Sequence, residues 1–296
     1  MRSVLERQER SLRVKKDKFE IMSNADYRKK SGISASDLKL MVKSMATWKY
    51  AKEHPDENDS PALLFGRAYH KLMLEPDDFD KEFIVSPKFD RRTKEGKTAY
   101  EEFLKNAEGK EVIDEETYQK LLEMQDALYA TPFVKYLIKG DHEKSFFWTD
   151  EKSGIFCKCR PDSFGMVKEQ HICIDLKTTT NAETSAFMRD SMKFGYDIQA
   201  AHYTEGLKAT YGCDFKFLFI AQEKTAPYLV NVLEADEYFL QNGREIRQML
   251  LEKYKKALET DIWEGYIEEG SGINVLSTPE WLKQSLEVEK DDDDFE

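Results

Sequence analysis

The chain has 296 residues, 40% of them hydrophobic and 12% aromatic, enough apolar material for the core of one large domain or two modest ones. Its formal net charge of −12 excludes a simple basic coat for nucleic acid, because phosphates need positive charge where the strand lies, so only a local patch could do that work. No apolar run approaches the roughly 18 residues that span a bilayer, and the opening MRSVLERQERSLRVKKDKFE lacks the apolar core of a secretion signal, which predicts a cytoplasmic protein with no membrane partner.

Residues 1–21 are charged without amphipathic order and predict a disordered extension, with a single domain over 22–284. Ser34 or Ser36 can cap a helix reaching about residue 53, with Leu38, Met41, Val42 and Met45 as its apolar stripe. A second helix, PALLFGRAYHKLMLE, starts at Pro61 and ends near Glu75. The loop SPKFDRRTKEGK follows, where Lys88, Arg91, Arg92, Lys94 and Lys97 outnumber Asp90 and Glu95. Helices are predicted at about 97–106 and 114–138, the second interrupted near Pro132. The period then changes to two, and 143–150, 154–162 and 171–178 read as three strands, with turn material at DEKSG and SFGMVKEQ. Helices at about 181–192 and 196–211, strands at 214–222 and 226–233, and a helix at 235–260 complete the pattern. The acidic block closing residues 285–296 predicts a solvated, disordered tail. This order describes one α/β domain, a mixed sheet covered on both faces by helices.

The cysteines offer a zinc reading that their spacing does not favour. Cys157 and Cys159 stand in C-x-C spacing within a strand-like run, and with His171 and Cys173 they make no C-x-x-C knuckle, so buried free thiols are expected.

The chemistry concentrates in ICIDLKTTT. Along a strand Ile172, Ile174 and Leu176 share one face while Cys173, Asp175 and Lys177 share the other. Two charged groups aimed at one side must satisfy each other or face something else that is charged, because an unpartnered buried charge costs several kcal/mol. The preceding strand ends at Pro161-Asp162, and a hairpin of the two would bring Asp162 beside Asp175, with Lys177 one pleat on. Paired carboxylates repel unless a cation lies between them, and a hard ion such as Mg²⁺, with Mn²⁺ as a substitute, suits oxygen ligands there. A neighbouring lysine can orient a water or stabilise charge at phosphorus, the arrangement for phosphodiester hydrolysis.

Asp162, then Asp175-Leu176-Lys177, resembles the PD-(D/E)XK nuclease signature, in which the acids hold metal and the lysine assists the nucleophile. Gly66 and His70 in GRAYH resemble the G-x-x-x-H helix of RecB-like and RecE-like nucleases, whose histidine meets metal or phosphate; the bland alternative is a surface histidine. Gln199 and Tyr203 match the Q-x-x-x-Y motif of the same families, against simple helix packing. SGISASDLK, FGRAYHKLMLEP, RRTKEGK, GIFCKCRPD and IDLKTTT extend the likeness to the RecE-like exonuclease domain over about residues 27–282.

That resemblance implies a PD-(D/E)XK-like mixed central sheet flanked by helices. It also implies metal-dependent 5′ to 3′ degradation of double-stranded DNA ends, leaving 3′ strands for a RecT-like annealing partner, by a homo-oligomeric ring. Asp162, Asp175, the Leu176 carbonyl and His70 would hold metal, Lys177 would assist the water, and Gln199 and Tyr203 would position them. Arg91, Arg92 and Lys94 would touch DNA. Arg160 would bind the scissile phosphate or neutralise Asp162, and Thr178 would meet phosphate unless the Thr178–Thr180 run caps the next helix. Glu143 is weighed between approach to the metal and a solvated strand-edge acid. The rival from another class is a DNA-end-binding module that has lost catalysis. An iron–sulfur nuclease is set aside, since no cysteine follows Cys213.

Overall fold

A computed structural model describes residues 19–55, 60–107, 109–267 and 272–278. Most of the expected extension and the whole acidic tail lie outside the described residues, as does the expected domain end at 284. Glu20, on the far side of the boundary expected at Met22, exchanges backbone hydrogen bonds with Ser145 in both directions (2.9 and 3.0 Å).

Helices dominate the first half: α1 (Asn24–Lys29), α2 (Ala35–Lys43), α3 (Met45–Glu53) and α4 (Pro61–Leu74). The single helix expected from Ser34 to about residue 53 is two, because Ser44 is extended (φ −176°, ψ 159°) and its hydroxyl accepts from the Thr47 N–H at 3.0 Å, capping α3. Helix α4 begins as expected, with Ser60 as cap and Pro61 in the first turn. Next come α5 (Phe79–Glu82), β1 (Phe83–Ser86), α6 (Lys94–Asn106) and β2 (Glu111–Asp114). Strands β1 and β2 pair in parallel and were not anticipated, since four residues each are too few to display a period. Helix α7 (Glu115–Ala130) stops before Pro132, and α8 (Val134–Leu137) follows left-handed Phe133 (φ 68°).

The second half holds β3 (Asp141–His142), β4 (Phe146–Thr149), β5 (Phe156–Cys159), β6 (Ser163–Val167), β7 (Gln170–Thr179), α9 (Thr184–Lys193), α10 (Tyr196–Tyr211), β8 (Lys216–Glu223), β9 (Val230–Glu234) and α11 (Glu237–Thr260). The main sheet runs β3-β6-β7-β8-β9, with only β7 and β8 parallel. Here the structure corrects the hairpin expected between 154–162 and 171–178. Strand β5 pairs with β4 in a separate two-stranded sheet, and the hairpin partner of β7 is β6, read from sequence as turn material. Its two-residue turn uses Lys168 (φ 46°) and Glu169 (φ 67°), both left-handed without glycine or asparagine to announce it. The juxtaposition survives the correction: Ser163 faces Ile174, so the register carried one residue further sets Asp162 opposite Asp175.

Each face of β7 feeds a different core. Ile172, Ile174 and Leu176 pack with Tyr69, Leu72 and Met73 of α4 and Leu121, Met124 and Leu128 of α7. Cys173 packs on the opposite side with Phe217 and Phe219 of β8 and Ala200 and Leu207 of α10. The alternation that puts Ile174 and Leu176 in one core therefore aims Asp175 and Lys177 toward α10. Helix α10 is pressed against α11 at Gly243, where a Cβ would fall 2.1 Å from the Asp197 carbonyl oxygen.

Among the described residues the cysteines form no metal-ligand group with His171. All four are free; Cys157, Cys159 and Cys173 are buried, while Cys213 lies beside His171 (Sγ to Nδ1 3.5 Å). Burial pushes the Cys157 thiol up to about 12 and keeps Cys159 and Cys173 well above the ordinary range, as expected of inert core thiols.

Candidate active site

The site forms where α4, the β3–β4 bend and the β6–β7 hairpin meet. Helix α4 buries Tyr69, Leu72 and Met73, which leaves His70 on its margin, 29% exposed, with its Nδ1 3.2 Å from Asp162 Oδ1. The other Asp162 oxygen accepts from the Leu176 N–H at 2.6 Å. Glu143, at a left-handed bend (φ 50°) between β3 and β4, completes the group: one ligand atom from each of His70, Glu143 and Asp162 lies within 4.8 Å of the others. The reading of Glu143 as a solvated strand-edge acid is thereby corrected. Its bend depends on Glu143 donating its N–H to the Asp162 carbonyl (3.3 Å), a contact between segments distant in sequence.

Asp175 lies just outside this cluster, 1% exposed, and its two oxygens are treated differently: Oδ1 accepts a hydrogen bond, while Oδ2 is buried with a charge contact and no hydrogen bond. Oδ2 is ion-paired with the Lys177 ammonium, and Oδ1 accepts from the Gln199 side-chain amide. The other end of that amide, Oε1, accepts from Lys39 Nζ at 2.6 Å. Both ammoniums stand over one aromatic ring, Lys39 at 4.9 Å and Lys177 at 5.0 Å from the Tyr196 centroid.

The electrostatics separate the two acids. Burial raises the Asp162 carboxyl, but the charge and hydrogen bond of His70, with Lys177 and the Leu176 N–H, outweigh it and hold Asp162 below the ordinary carboxylate range. Asp175 is pushed up, first by burial and then by Asp162, against the pull of Lys177. For His70, burial opposes the proton, yet Asp162 and Glu143 bring it up to about 9. Glu143 is raised by burial and by Asp162 despite Arg160. Burial and Lys177 bring the Lys39 ammonium down to about 7.

The remaining expected residues divide. Arg160 neither reaches Asp162 nor stands free: its Nε donates to Glu143 and its Nη1 to the Met22 carbonyl (2.9 Å). Lys158, two residues before Arg160, is buried and donates to the carbonyls of Tyr27 (3.0 Å) and Lys30 (2.5 Å). Thr178 lies on the Leu176 face of β7, opposite Asp175 and Lys177, and the cap of α9 is Glu183 rather than a threonine. Tyr203 packs its ring 6.3 Å from Phe217, and burial, reinforced by Asp175, raises its phenol well above the ordinary value. Arg91 and Arg92 on the loop entering α6 and Lys94 at its first position are exposed, with the Arg91 guanidinium 4.9 Å from the Tyr100 ring. Sequence reasoning assigned no role to Lys39 or Tyr196, although Lys39 ends the SGISASDLK stretch; only the approach of α2 and the start of α10 to β7 brings them in.

His70, Glu143 and Arg160 line a cleft of about 300 Å³ that continues past Gly66, Arg67 and Lys71. Arg67 is held there by Glu111 of β2. A mixed sheet sandwiched by helices, with an acid before one central strand and an acid-x-lysine on the next, defines a PD-(D/E)XK-type protein. The chain belongs to the family described as PDDEXK-like domain of unknown function (DUF3799), whose profile matches residues 34–272. A crystal structure from Eubacterium rectale described as "Putative exonuclease" is similar with a TM-score of 0.59 at 16% identity, covering 90% of this chain and 98% of that one. The structure of SSO0001 covers 66% of this chain and 88% of its own at 13% identity, with a TM-score of 0.27, too low to define a shared fold. No curated protein matches the sequence. Among the described residues no helix is long and apolar enough to cross a membrane.

Proposed function

We propose that the protein is a divalent-metal-dependent exonuclease that degrades double-stranded DNA from its ends. The observation that carries this reading is the convergence of His70, Glu143 and Asp162 at one cleft, with the Asp175–Lys177 pair on the adjoining strand. Carboxylates with a single imidazole fit a hard cation, Mg²⁺ with Mn²⁺ as substitute, better than a thiophilic one. The upward push on Asp175 and Glu143 is the state that a nearby cation relieves. His70, Glu143 and Asp162 would hold the ion, and Asp175 and the Leu176 carbonyl are the further ligands that the RecE-like resemblance implies. When bound, the cation supplies Lewis acidity at the scissile phosphate and a water acidic enough to attack.

The chain's own groups supply the rest. Lys177 Nζ, kept charged by Asp175, places a fixed positive charge beside the phosphate and orients a water through its N–H groups. Arg160 holds Glu143 in place by its Nε contact. Degradation from 5′ to 3′, release of 3′ strands to a RecT-like annealing partner, action in recombination and assembly as a closed ring of identical subunits rest on the RecE-like resemblance. The description printed for the Eubacterium rectale chain supports the exonuclease reading.

Digestion of linear duplex with Mg²⁺, with Mn²⁺ and with EDTA tests the proposal, alongside Asp175→Asn. Cutting should need metal and be abolished by the substitution. The variant should melt no lower than wild type in EDTA, because a carboxyl whose folded pKa is raised costs stability as pH climbs above its ordinary value. Wild-type turnover in Asp175→Asn would refute the assignment, while end binding without cutting by the wild type would favour the inactive module.

A further inference from the structure

Asp175 is held by two neighbours, Lys177 of the acid-x-lysine signature and Gln199 of the Q-x-x-x-Y pattern. The Gln199 amide has two nearly isosteric ends, and only its NH₂ end can donate to a carboxylate. That end faces Asp175 Oδ1, while Asp175 Oδ2 is the oxygen ion-paired with Lys177. The amide is thereby turned so that Oε1 points the other way, onto Lys39 Nζ at 2.6 Å. In either protonation state the Lys39 amine has an N–H to give. A flipped amide would set its oxygen against the Asp175 carboxylate, a repulsion between buried acceptors.

Lys39 is itself confined. Its Nζ lies over the Tyr196 ring, the ring that also carries Lys177, and its stem crosses Gly195, where a Cβ would come within 3.4 Å of Lys39 Cγ. Gly195 adopts φ 63°, a left-handed conformation that glycine takes without strain, at the start of α10. Upstream, α2 is fixed by a capping box of Ser34 and Asp37, and Asp37 also accepts from Trp48 Nε1 at 3.0 Å. The segment that carries Lys39 is thus tied down independently of the site.

We propose that Lys39 is a positioning residue, fixing the Gln199 amide so that Asp175 keeps one orientation toward Lys177 and the metal cleft. This rests on the functional reading above. The geometry gives Lys39 a partner in the protein, so it acts through Gln199 rather than on the DNA strand.

The test is a double-mutant cycle on the full chain, Lys39→Met, Gln199→Ala and both together, with Lys39→Arg as the conservative variant. Two readouts are taken: kcat and KM on linear duplex, and Mn²⁺ binding without DNA, followed by electron paramagnetic resonance of the free ion. Lys39→Met should lower kcat and weaken Mn²⁺ binding about 10- to 100-fold, the range typical of residues that orient metal ligands. KM for DNA should stay within about twofold, Lys39→Arg should recover most of the loss, and the double variant should be no worse than Gln199→Ala alone. Additive losses, or a raised KM with unchanged Mn²⁺ binding, would overturn the proposal in favour of a direct phosphate contact. Should Lys39→Met fail to fold, the cycle with Lys39→Arg and Lys39→Gln decides on the same criteria. A wild-type protein that neither cuts nor binds Mn²⁺ would instead refute the nuclease reading, a separate outcome.

Discussion

His70 offers the most direct test of the electrostatics, because its partner is a single carboxylate and its ordinary value is near neutral. Asp162, with help from Glu143, overcomes burial and raises it from 6.5 to about 9. At about 1.4 kcal/mol for each tenfold gain in proton affinity, this sets an upper bound near 3.5 kcal/mol on what the charged imidazole contributes to the metal-free fold, and partial exposure brings it to about 2–3 kcal/mol. The sign follows from the direction. A group whose folded pKa is raised contributes stability fully below its unfolded value and loses it as pH climbs through the folded value, so the contribution should fade between about pH 6.5 and 9. His70→Gln keeps a hydrogen-bond donor for Asp162 but cannot carry charge. In urea melts with EDTA at pH 6, 7.5 and 9, the gap between wild type and His70→Gln should be about 2–3 kcal/mol at pH 6 and close within about 1 kcal/mol by pH 9. Taking the difference removes groups common to both proteins, Lys39 among them. A gap that is constant across the range, or that widens with pH, would refute the coupling to Asp162.

Neutralising Arg91 and Arg92 together should weaken DNA binding for all sequences alike and flatten the salt dependence by roughly one unit per lost phosphate contact, read by fluorescence anisotropy at several salt concentrations; an unchanged slope would reduce the loop to solvated surface. If subunits close into a ring, light scattering should give a multiple of the 34.6 kDa chain mass. End-labelled duplex should then be shortened processively past a DNA trap while closed circles resist; a monomeric mass with distributive cutting would refute it. Gly243→Ala should cost about 1–3 kcal/mol in a denaturant melt, since the added carbon would fall on the Asp197 carbonyl and push α11 off α10; a neutral effect would show that the two helices separate without penalty.

Much of the architecture could be read from local pattern. Helix α10 falls on the residues expected of it, 196–211, because Gly195 and Gly212 bound it at either end. The period-two alternation of ICIDLK names both cores and the face of the acids, since a strand's side chains must alternate whatever lies beside it. What failed was short or depended on partners. Strands β1 and β2 have four residues each, and the turn at Lys168–Glu169 has none of the residues that usually mark left-handed backbone. Helix α2 ends at Ser44 because a cap for the next helix wins over continuation, a choice nearly balanced in local terms.

The site divides the same way. Asp162, Asp175, Lys177, His70 and Gln199 were legible because each sits in a short pattern with a fixed spacing; the structure pairs His70 with Asp162 and holds Asp175 between Lys177 and Gln199, the two groups meeting through the Leu176 N–H on Asp162. Which acids surround the cleft was not legible. Glu143 enters through a left-handed bend stabilised from Asp162, Arg160 turns to Glu143 and Met22 rather than to Asp162, and Lys39 arrives from α2, 160 residues before the glutamine it holds. Spacing along the chain determines which side chains share a face of one element. Which elements then meet depends on how the two faces of β7 pack against α4 and α10, and that is decided by burial and close contact across the whole core, which no local stretch of sequence contains.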